Sequence, residues 1–558
     1  MTRTASKFME PLRAALGAGQ SVDAALQRLS RHDAAIAPVI LSGRPIGVVT
    51  RALLESASAF GLGDATVERV VTREVLRIGG RVAPRAVSEK SRGTAPGLLV
   101  CPAVDVIEGI IEREHLTLHL SRPGRARGAR SLLTRLDAAD RRNLLEARRV
   151  AAGMRLPLYL VGGAVRDLLL GRRIRSLDLA VEGDGIRFAG ALARRLRARI
   201  VRHRRFGTSV LTLPDGGILD VATARREGYK QPASLPVVMR ATMAEDFFRR
   251  DLTINAMAIR VDGRTPGPLW DPFQGVRDLR IRTLRVVHRL SFIEDPTRAF
   301  RAARLAARLG MRWHDETRQS LGLAGSVGAF AALSPQRRFR EFVLMTQEPD
   351  PSATLRSFAS LGILPLLVPG VNADRRHREW WQRLSRGEEA LSGIPPAGSL
   401  LALLYLGLLL IGARRGTSER VLTHLGISGE PASRLASLGL RVLSLRRALQ
   451  SAGGVRARPS RIARLCDAAD PDARIIAWCC GEPSVRAAIA KYVQRLELPA
   501  DVTGADLRRL GLPPGPIYGT ILRRIWEARL DGRFDGLDRS AGRKAALRMA
   551  TALARTGD

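Results

Sequence analysis

Cysteine is scarce in this sequence, and long apolar runs are missing. Four cysteines, Cys101, Cys466, Cys479 and Cys480, stand among 558 residues. They show no metal-ligand spacing, and the adjacent Cys479 and Cys480 are poorly placed to bridge one another. Neither a thiolate metal site nor a disulfide framework is expected, and the thiols read as core residues in a reducing cytosol. The N-terminus MTRTASKFMEPLRAAL lacks a hydrophobic signal core ahead of a small-residue cleavage site. The most apolar stretch, Leu400 to Gly412, falls short of the roughly 20 residues that span a bilayer. It is expected to be a buried helix, and the protein is expected in the cytoplasm with no membrane partner.

Acidic residues and lysine are also in short supply. Against 91 Lys and Arg stand 53 Asp and Glu, a formal net charge of +38. Such an excess favours a polyanionic partner such as nucleic acid. Nearly all the cations are Arg, a bias that codon usage in a GC-rich genome also produces, so charge alone leaves the partner open. The length suggests about three or four domains, each able to bury a core.

Residues 1–120 read as an α/β unit. The segment SVDAALQRLSRHDAAIAPVILSGRPIGVVTRALLESA offers a helix, a strand APVIL, a turn SGRP, a strand IGVVT and a second helix. It resembles a cystathionine-β-synthase-type (CBS) module, with a second half from near Thr66 in which SEKSRGTAPG replaces a clear helix. The resemblance implies an adenylate site or, equally, a scaffold for homodimerisation. Residues 121–153 hold a basic linker, SRPGRARGARS, and a helix; the linker reads as a solvated tether, with RNA contact the sharper alternative. Residues 154–285 alternate strands and helices, with a hairpin at LPDGG, as in a head built on a mixed sheet. From about 286 the strand signal fades, giving a helical neck over 286–345 and a helical, RNA-binding body and tail over 346–558. The expected fold class is multidomain, α/β followed by all-α.

The chemistry concentrates between Tyr159 and Gly185, YLVGGAVRDLLLGRRIRSLDLAVEGDG, an apolar strand, a double-glycine turn, a short helix and a second strand. Gly162 and Gly163 remove side chains where a backbone must approach a ligand, and Arg166 follows within one turn as a fixed cationic fork. Asp178 and Ser176 lie two apart on a strand, hence on one face. Two carboxylates so placed would hold two Mg²⁺ ions about 3.5–4 Å apart, one activating a hydroxyl and one steadying a triphosphate. Asp220, in ILDVATA, is a further strand acid able to complete such a cluster. Glu182 shares the face of Asp178 but stands roughly 13 Å along the strand, too far to replace the missing ligand.

With RRDLTINAMA (Arg249 to Ala258), DPFQGVRDL (Asp271 to Leu279) and FIEDPTRAFRAARLAARLG (Phe292 to Gly310), these residues resemble the class II tRNA nucleotidyltransferase and poly(A) polymerase family, of the long bacterial type. The likeness is close over about 155–345 and extends weakly to the tail Val502 to Gly532. It implies that Gly162, Gly163 and Arg166 bind a triphosphate, with Asp167 as structural partner. Asp178 and Asp220 would hold Mg²⁺ and act as the catalytic carboxylates, Ser176 marking a lost ligand position. Arg249 or Arg250 would reach phosphates, and Asp251 and Asn255 would organise the loop. Glu294, Asp295 and Arg298 are expected on one helical face, at spacings of three and four, where the family reads cytosine or adenine with amino-acid side chains; Arg301 and Arg304 continue that face. The implied reaction is attack by a tRNA or other RNA 3′ hydroxyl on the α-phosphate of CTP or ATP. Ser176 removes negative charge from a site whose work is charge stabilisation. The expectation is therefore a slowed transferase, the alternatives being a non-catalytic RNA- or nucleotide-binding paralogue and an adenylate-sensing regulator. The tail segment GADLRRLGLPPGP reads as either a cap-and-turn device or a tRNA contact.

Overall fold

The structure, a computed structural model, describes residues 9–72, 76–78, 97–101, 107, 109–112, 127–263, 265–387, 401–414, 416–496 and 501–556. It divides into two compact units, Met1–Leu333 and Ser334–Asp558.

The first unit begins with the expected α/β pattern. The Ser21 hydroxyl accepts the Ala24 N–H and starts helix α1 (Val22–Arg31), whose Val22, Ala25 and Leu29 are buried. Strands β1 (Ile36–Leu41) and β2 (Arg44–Thr50) pair antiparallel. Their turn needs positive φ at Ser42 and Gly43, 49° and 77°. Thr50 caps helix α2 (Arg51–Ala57) through the Leu53 N–H. Leu16–Gly17 joins β1 in parallel to complete a three-stranded sheet. A four-stranded sheet collects Glu10–Pro11, Leu76–Ile78, Gly97–Val100 and Gly109–Glu112. The residues at 79–96, which include most of SEKSRGTAPG, and those at 121–126 of the basic linker lie outside the described residues. The rest of that linker departs from the tether reading, because Arg127–Leu133 is helical. Past Pro123 its Arg, Ala and Leu are good helix formers.

The head is a seven-stranded mixed sheet. In chain order it uses β3 (Leu158–Val161), β4 (Leu177–Val181), β5 (Arg199–His203), β6 (Thr208–Thr212) and β7 (Ile218–Thr223). A separate two-stranded ribbon, β8 (Arg225–Gly228) with β9 (Val237–Arg240), precedes β10 (Ala258–Arg260) and β11 (Leu269–Trp270). The order across the large sheet is β5-β6-β7-β4-β3-β10-β11. Its β7/β4 pair is parallel and the other pairs are antiparallel. Every residue of β3 is buried, which fits its unbroken apolar run to a strand covered on both faces. The β6–β7 hairpin turns at LPDGG as expected, closed by the Leu213 N–H to the Gly217 carbonyl. Helix α3 (Gly162–Leu169) links β3 to β4, and α4 (Gly185–Leu196) packs Phe188, Ala189, Leu192 and Ala193 into the core.

Beyond residue 286 one strand pair corrects the all-α expectation. Thr283–Leu284 runs parallel to Arg312–Trp313, because Gly310 at φ 64° ends the intervening helix and turns the chain back. The described part of the second unit is helical. Leu401–Leu410 forms the expected buried helix, and among the described residues no helix is long and apolar enough to cross a membrane. In the tail, Thr503 and Asp506 form a capping box at the head of Gly504–Arg509. Cys466, Cys479 and Cys480 are buried free thiols, and burial pushes Cys466 up to about 12.

Candidate active site

The mixed sheet places two acids face to face. On the parallel pair β7/β4, Asp220 stands in register with Asp178, on strands that run about 4.8 Å apart. The Ser176 hydroxyl donates to Asp178 Oδ1 at 2.5 Å, and the Ala164 N–H, in the first turn of α3, donates to Oδ2 at 3.1 Å. Burial pushes the Asp178 carboxyl above the ordinary carboxylate range, and the Asp220 charge adds to it; the two hydrogen bonds only partly offset this. Burial also raises Asp220. The double glycine is a steric requirement here. Gly162 has φ 62°, and a Cβ on it would lie 3.2 Å from Arg250 Nη1; one on Gly163 would lie 3.0 Å from Asp178 Oδ2. Either side chain would fill the space between the acid and the guanidinium groups.

Arg166 is buried and doubly committed. Its Nε and Nη2 fork onto the Asp167 carboxylate at 2.9 and 3.0 Å, and Nη1 donates to Asn255 Oδ1 at 2.7 Å. Asn255 Nδ2 donates to Asp251 Oδ1 at 3.2 Å, and Asp251 Oδ2 pairs with Arg301 Nε at 3.1 Å. A continuous polar line thus runs from the glycine turn to the neck helix. Arg301 is exposed at its far end, whereas Arg304, one turn on, is buried. Arg249 and Arg250 both converge on Asp246. Arg249 Nε reaches Oδ1 at 2.7 Å, and Arg250 Nε and Nη2 reach Oδ2 at 3.0 and 2.8 Å. Arg250 Nη1 also holds the Asn255 carbonyl at 2.9 Å. Asp246 is fully buried, which alone would raise its pKa, yet the two guanidiniums hold it below the ordinary range.

The template segment differs from the single helical face expected for Glu294, Asp295 and Arg298. Helix α5 (Ser291–Glu294) stops, Asp295 is extended at φ −138° and ψ 98°, and α6 (Thr297–Leu309) begins after Pro296. Proline disfavours the helical conformation in the residue before it, which is why the helix breaks at Asp295. The Asp295 carboxylate instead caps α6, accepting from the Thr297 N–H at 3.1 Å and hydroxyl at 2.7 Å. Glu294 and Arg298 still meet, at 3.2 Å, and Glu294 also pairs with His288 Nε2 at 3.3 Å. Arg298 is buried and donates to Ser291 Oγ at 3.0 Å, to the Tyr229 hydroxyl at 3.1 Å and to the Arg249 carbonyl at 3.1 Å. Burial would lower its pKa, but Tyr229 and the surrounding carboxylates raise it, so the guanidinium stays charged.

Three participants escaped the sequence reading. Asp246 could have been found, since it precedes Arg249 and Arg250 by three and four residues, the spacing of one helical turn. Glu227 takes Arg249 Nη1 at 3.2 Å and the Tyr229 hydroxyl at 2.7 Å. Neither it nor Tyr229 carries a local signal, because the β8–β9 ribbon brings both to Arg298 from far along the chain, Tyr229 from 69 residues away.

Asp178 and Asp220 offer hard oxygen donors and have no ion-pair partner among the described residues, so a divalent cation fits the charge that burial leaves uncompensated. No group of three or more His, Cys, Asp or Glu side chains placed to hold a metal occurs among the described residues. The donor set is therefore these two acids beside a neutral hydroxyl, where a third carboxylate was the reference pattern.

A mixed sheet with facing acids above a glycine turn and a helix N-terminus defines a nucleotidyltransferase head. The Poly A polymerase head domain family matches residues 158–285. An A-adding tRNA nucleotidyltransferase of Geobacter sulfurreducens is 30% identical over 99% of this chain and 65% of its own length. A CC-adding tRNA nucleotidyltransferase of Deinococcus radiodurans is 40% identical over 39% of this chain and 58% of its own. The structure of a Thermotoga maritima CCA-adding enzyme complexed with tRNA matches with a TM-score of 0.57 and 26% identity, over 75% of this chain and 97% of that one. Residues 158–285 belong to the Poly A polymerase head domain family, and the chain as a whole, similar to tRNA nucleotidyltransferases along nearly all its length, spans 65% of the length of the Geobacter relative.

Proposed function

We propose that this protein transfers CMP or AMP from CTP or ATP to the 3′ end of tRNA without a nucleic-acid template, at a rate lowered by Ser176. The observation that carries this reading is the in-register pair Asp178 and Asp220 facing the Gly162–Gly163 turn. The likeness to an A-adding enzyme along nearly the whole chain favours AMP as the nucleotide transferred.

The triphosphate lies along the glycine turn, where backbone N–H groups at the start of α3 and the guanidiniums of Arg166 and Arg250 supply positive charge. Asp178 and Asp220 would hold Mg²⁺, which when bound would supply activation of the attacking hydroxyl and neutralisation of phosphate charge. Arg298 presents its fork to the base by exchanging one of its present acceptors, with Glu294 holding its other edge. Asp251 and Asn255 keep Arg166 and the neck helix in one frame, and Arg301 lies at the frame's exposed end. The helical second unit grips RNA, the N-terminal part is a CBS-like module, and the protein works in the cytoplasm.

Ser176 favours one competing reading, a paralogue that binds nucleotide and RNA without transfer. Purified protein with tRNA ending before, within or after CCA, labelled CTP or ATP and Mg²⁺ separates the two. Transfer predicts label in a tRNA lacking its terminal A, falling at least about 10³-fold in Asp178→Ala. Incorporation that survives Asp178→Ala, or none by wild type while tRNA still binds, overturns the reading.

A further inference from the structure

A buried arginine of the neck takes up a carbonyl of the N-terminal α/β part. Arg289 is 5% exposed. Its Nη1 donates at 3.0 Å to the Arg69 carbonyl, 220 residues away in the chain and in the short helix Val67–Val70. Its Nη2 donates to Gln319 Oε1, and its own carbonyl accepts the Ser320 hydroxyl at 2.6 Å, so helix Asp315–Ser326 pins both its side chain and its backbone. Elsewhere in the same contact, Arg69 Nη2 donates to Ser326 Oγ at 3.2 Å, an exposed bond. The neighbours of Arg289 in the chain reach the base-selecting corner. His288 Nε2 lies 3.3 Å from Glu294, which pairs with Arg298 at 3.2 Å, and Ser291 Oγ accepts from Arg298 Nη1 at 3.0 Å. Leu290, between them, is 1% exposed.

We propose that Arg289 is a positioning residue for base selection: held by the Arg69 carbonyl, it fixes the 288–291 segment and, through His288 and Ser291, the direction of the Arg298 fork. The inference rests on the reading of Arg298 as the residue that meets the base. A guanidinium discriminates by direction, since each N–H must point at its acceptor at hydrogen-bond distance. Close packing leaves few voids to absorb a displacement, so a segment anchored by a buried side chain on one side hands its position to what it touches on the other. The N-terminal part then acts on nucleotide choice as a brace, without binding a nucleotide itself.

Calorimetric titration of the full chain with non-hydrolysable ATP and CTP analogues in Mg²⁺ reads the ratio of the two affinities without turnover. Arg289→Met keeps the aliphatic stem and removes the donors. It should change that ratio at least about threefold, while affinity for inorganic triphosphate, which carries no base, stays within about twofold of wild type. Arg289→Lys keeps a charged donor for the Arg69 carbonyl and should change the ratio less; it carries the test if Arg289→Met shows no cooperative melt. Arg69→Ala removes only the exposed bond of the same contact and should leave the ratio as in wild type. A ratio unmoved in both Arg289 variants, an equal loss of triphosphate and nucleotide affinity, or an equal shift in Arg69→Ala overturns the inference and leaves the transfer reading standing. If wild type binds neither analogue, or both alike, the reading of Arg298 falls and the inference with it.

Discussion

Two acids of opposite character frame the site. Asp178 is destabilised as an anion by burial and by Asp220, while Asp246 is stabilised as one by Arg249 and Arg250. In the proposed reaction the first is left for a cation, and the second fixes the RRD segment. A carboxyl held below its unfolded pKa contributes stability that is present above the ordinary value and lost as pH falls through the lower, folded value. Asp246→Asn should therefore lower the melting temperature at pH 7 by the equivalent of about 3 kcal/mol, since it leaves two buried guanidiniums facing a neutral amide. The gap from wild type should close as pH falls below about 3.9; thermal melts across pH check it, and a constant gap would refute the ion-pair account. At this scale the sequence was informative wherever partners are close in the chain. Gly162, Gly163, Arg166 with Asp167, and Ser176 beside Asp178 could all be read directly. The pairing of Asp220 with Asp178 needed strand register, and Tyr229 on Arg298 needed the ribbon's path, neither of which local spacing encodes.

Among elements, the break between α5 and α6 is the main departure from helical periodicity. Glu294, Asp295 and Arg298 have helix spacing, yet Pro296 sets Asp295 extended and makes it a cap. The pairing of Glu294 with Arg298 survives because both flank the same corner. Arg298 ties that corner to the ribbon through Tyr229, to the RRD segment through the Arg249 carbonyl and to α5 through Ser291. A lysine keeps the charge but cannot span those directions. Arg298→Lys should lower stability by about 2–3 kcal/mol, from buried acceptors left without donors, and should lower kcat/KM about 10²-fold or more. Denaturant melts and steady-state kinetics read the two effects. A variant with wild-type stability and discrimination between CTP and ATP would show that Arg298 neither braces the corner nor reads the base.

For the whole molecule, the charge excess and the helical second unit were both legible, because composition and 3.6-residue periodicity survive without tertiary detail. The contact boundary at Leu333 falls inside the 286–345 segment, which periodicity alone could not subdivide. If, as proposed, this chain of net charge +38 binds tRNA through phosphate contacts, affinity should fall steeply with salt, about 10³-fold or more between 50 and 200 mM. Filter binding at several salt concentrations measures it, and a flat response would remove the electrostatic basis of RNA binding.

The proposed transfer site is assembled but short of one carboxylate, and single-turnover incorporation of labelled AMP into tRNA lacking its terminal A measures what that shortage costs. Each 1.36 kcal/mol of transition-state stabilisation is tenfold in rate, and a carboxylate restored beside Asp178 is expected to return about 2–3 kcal/mol. Wild type should show slow but measurable transfer and Ser176→Asp should be about 10²-fold faster. Transfer that is undetectable in both, or equally fast in both, would contradict the account.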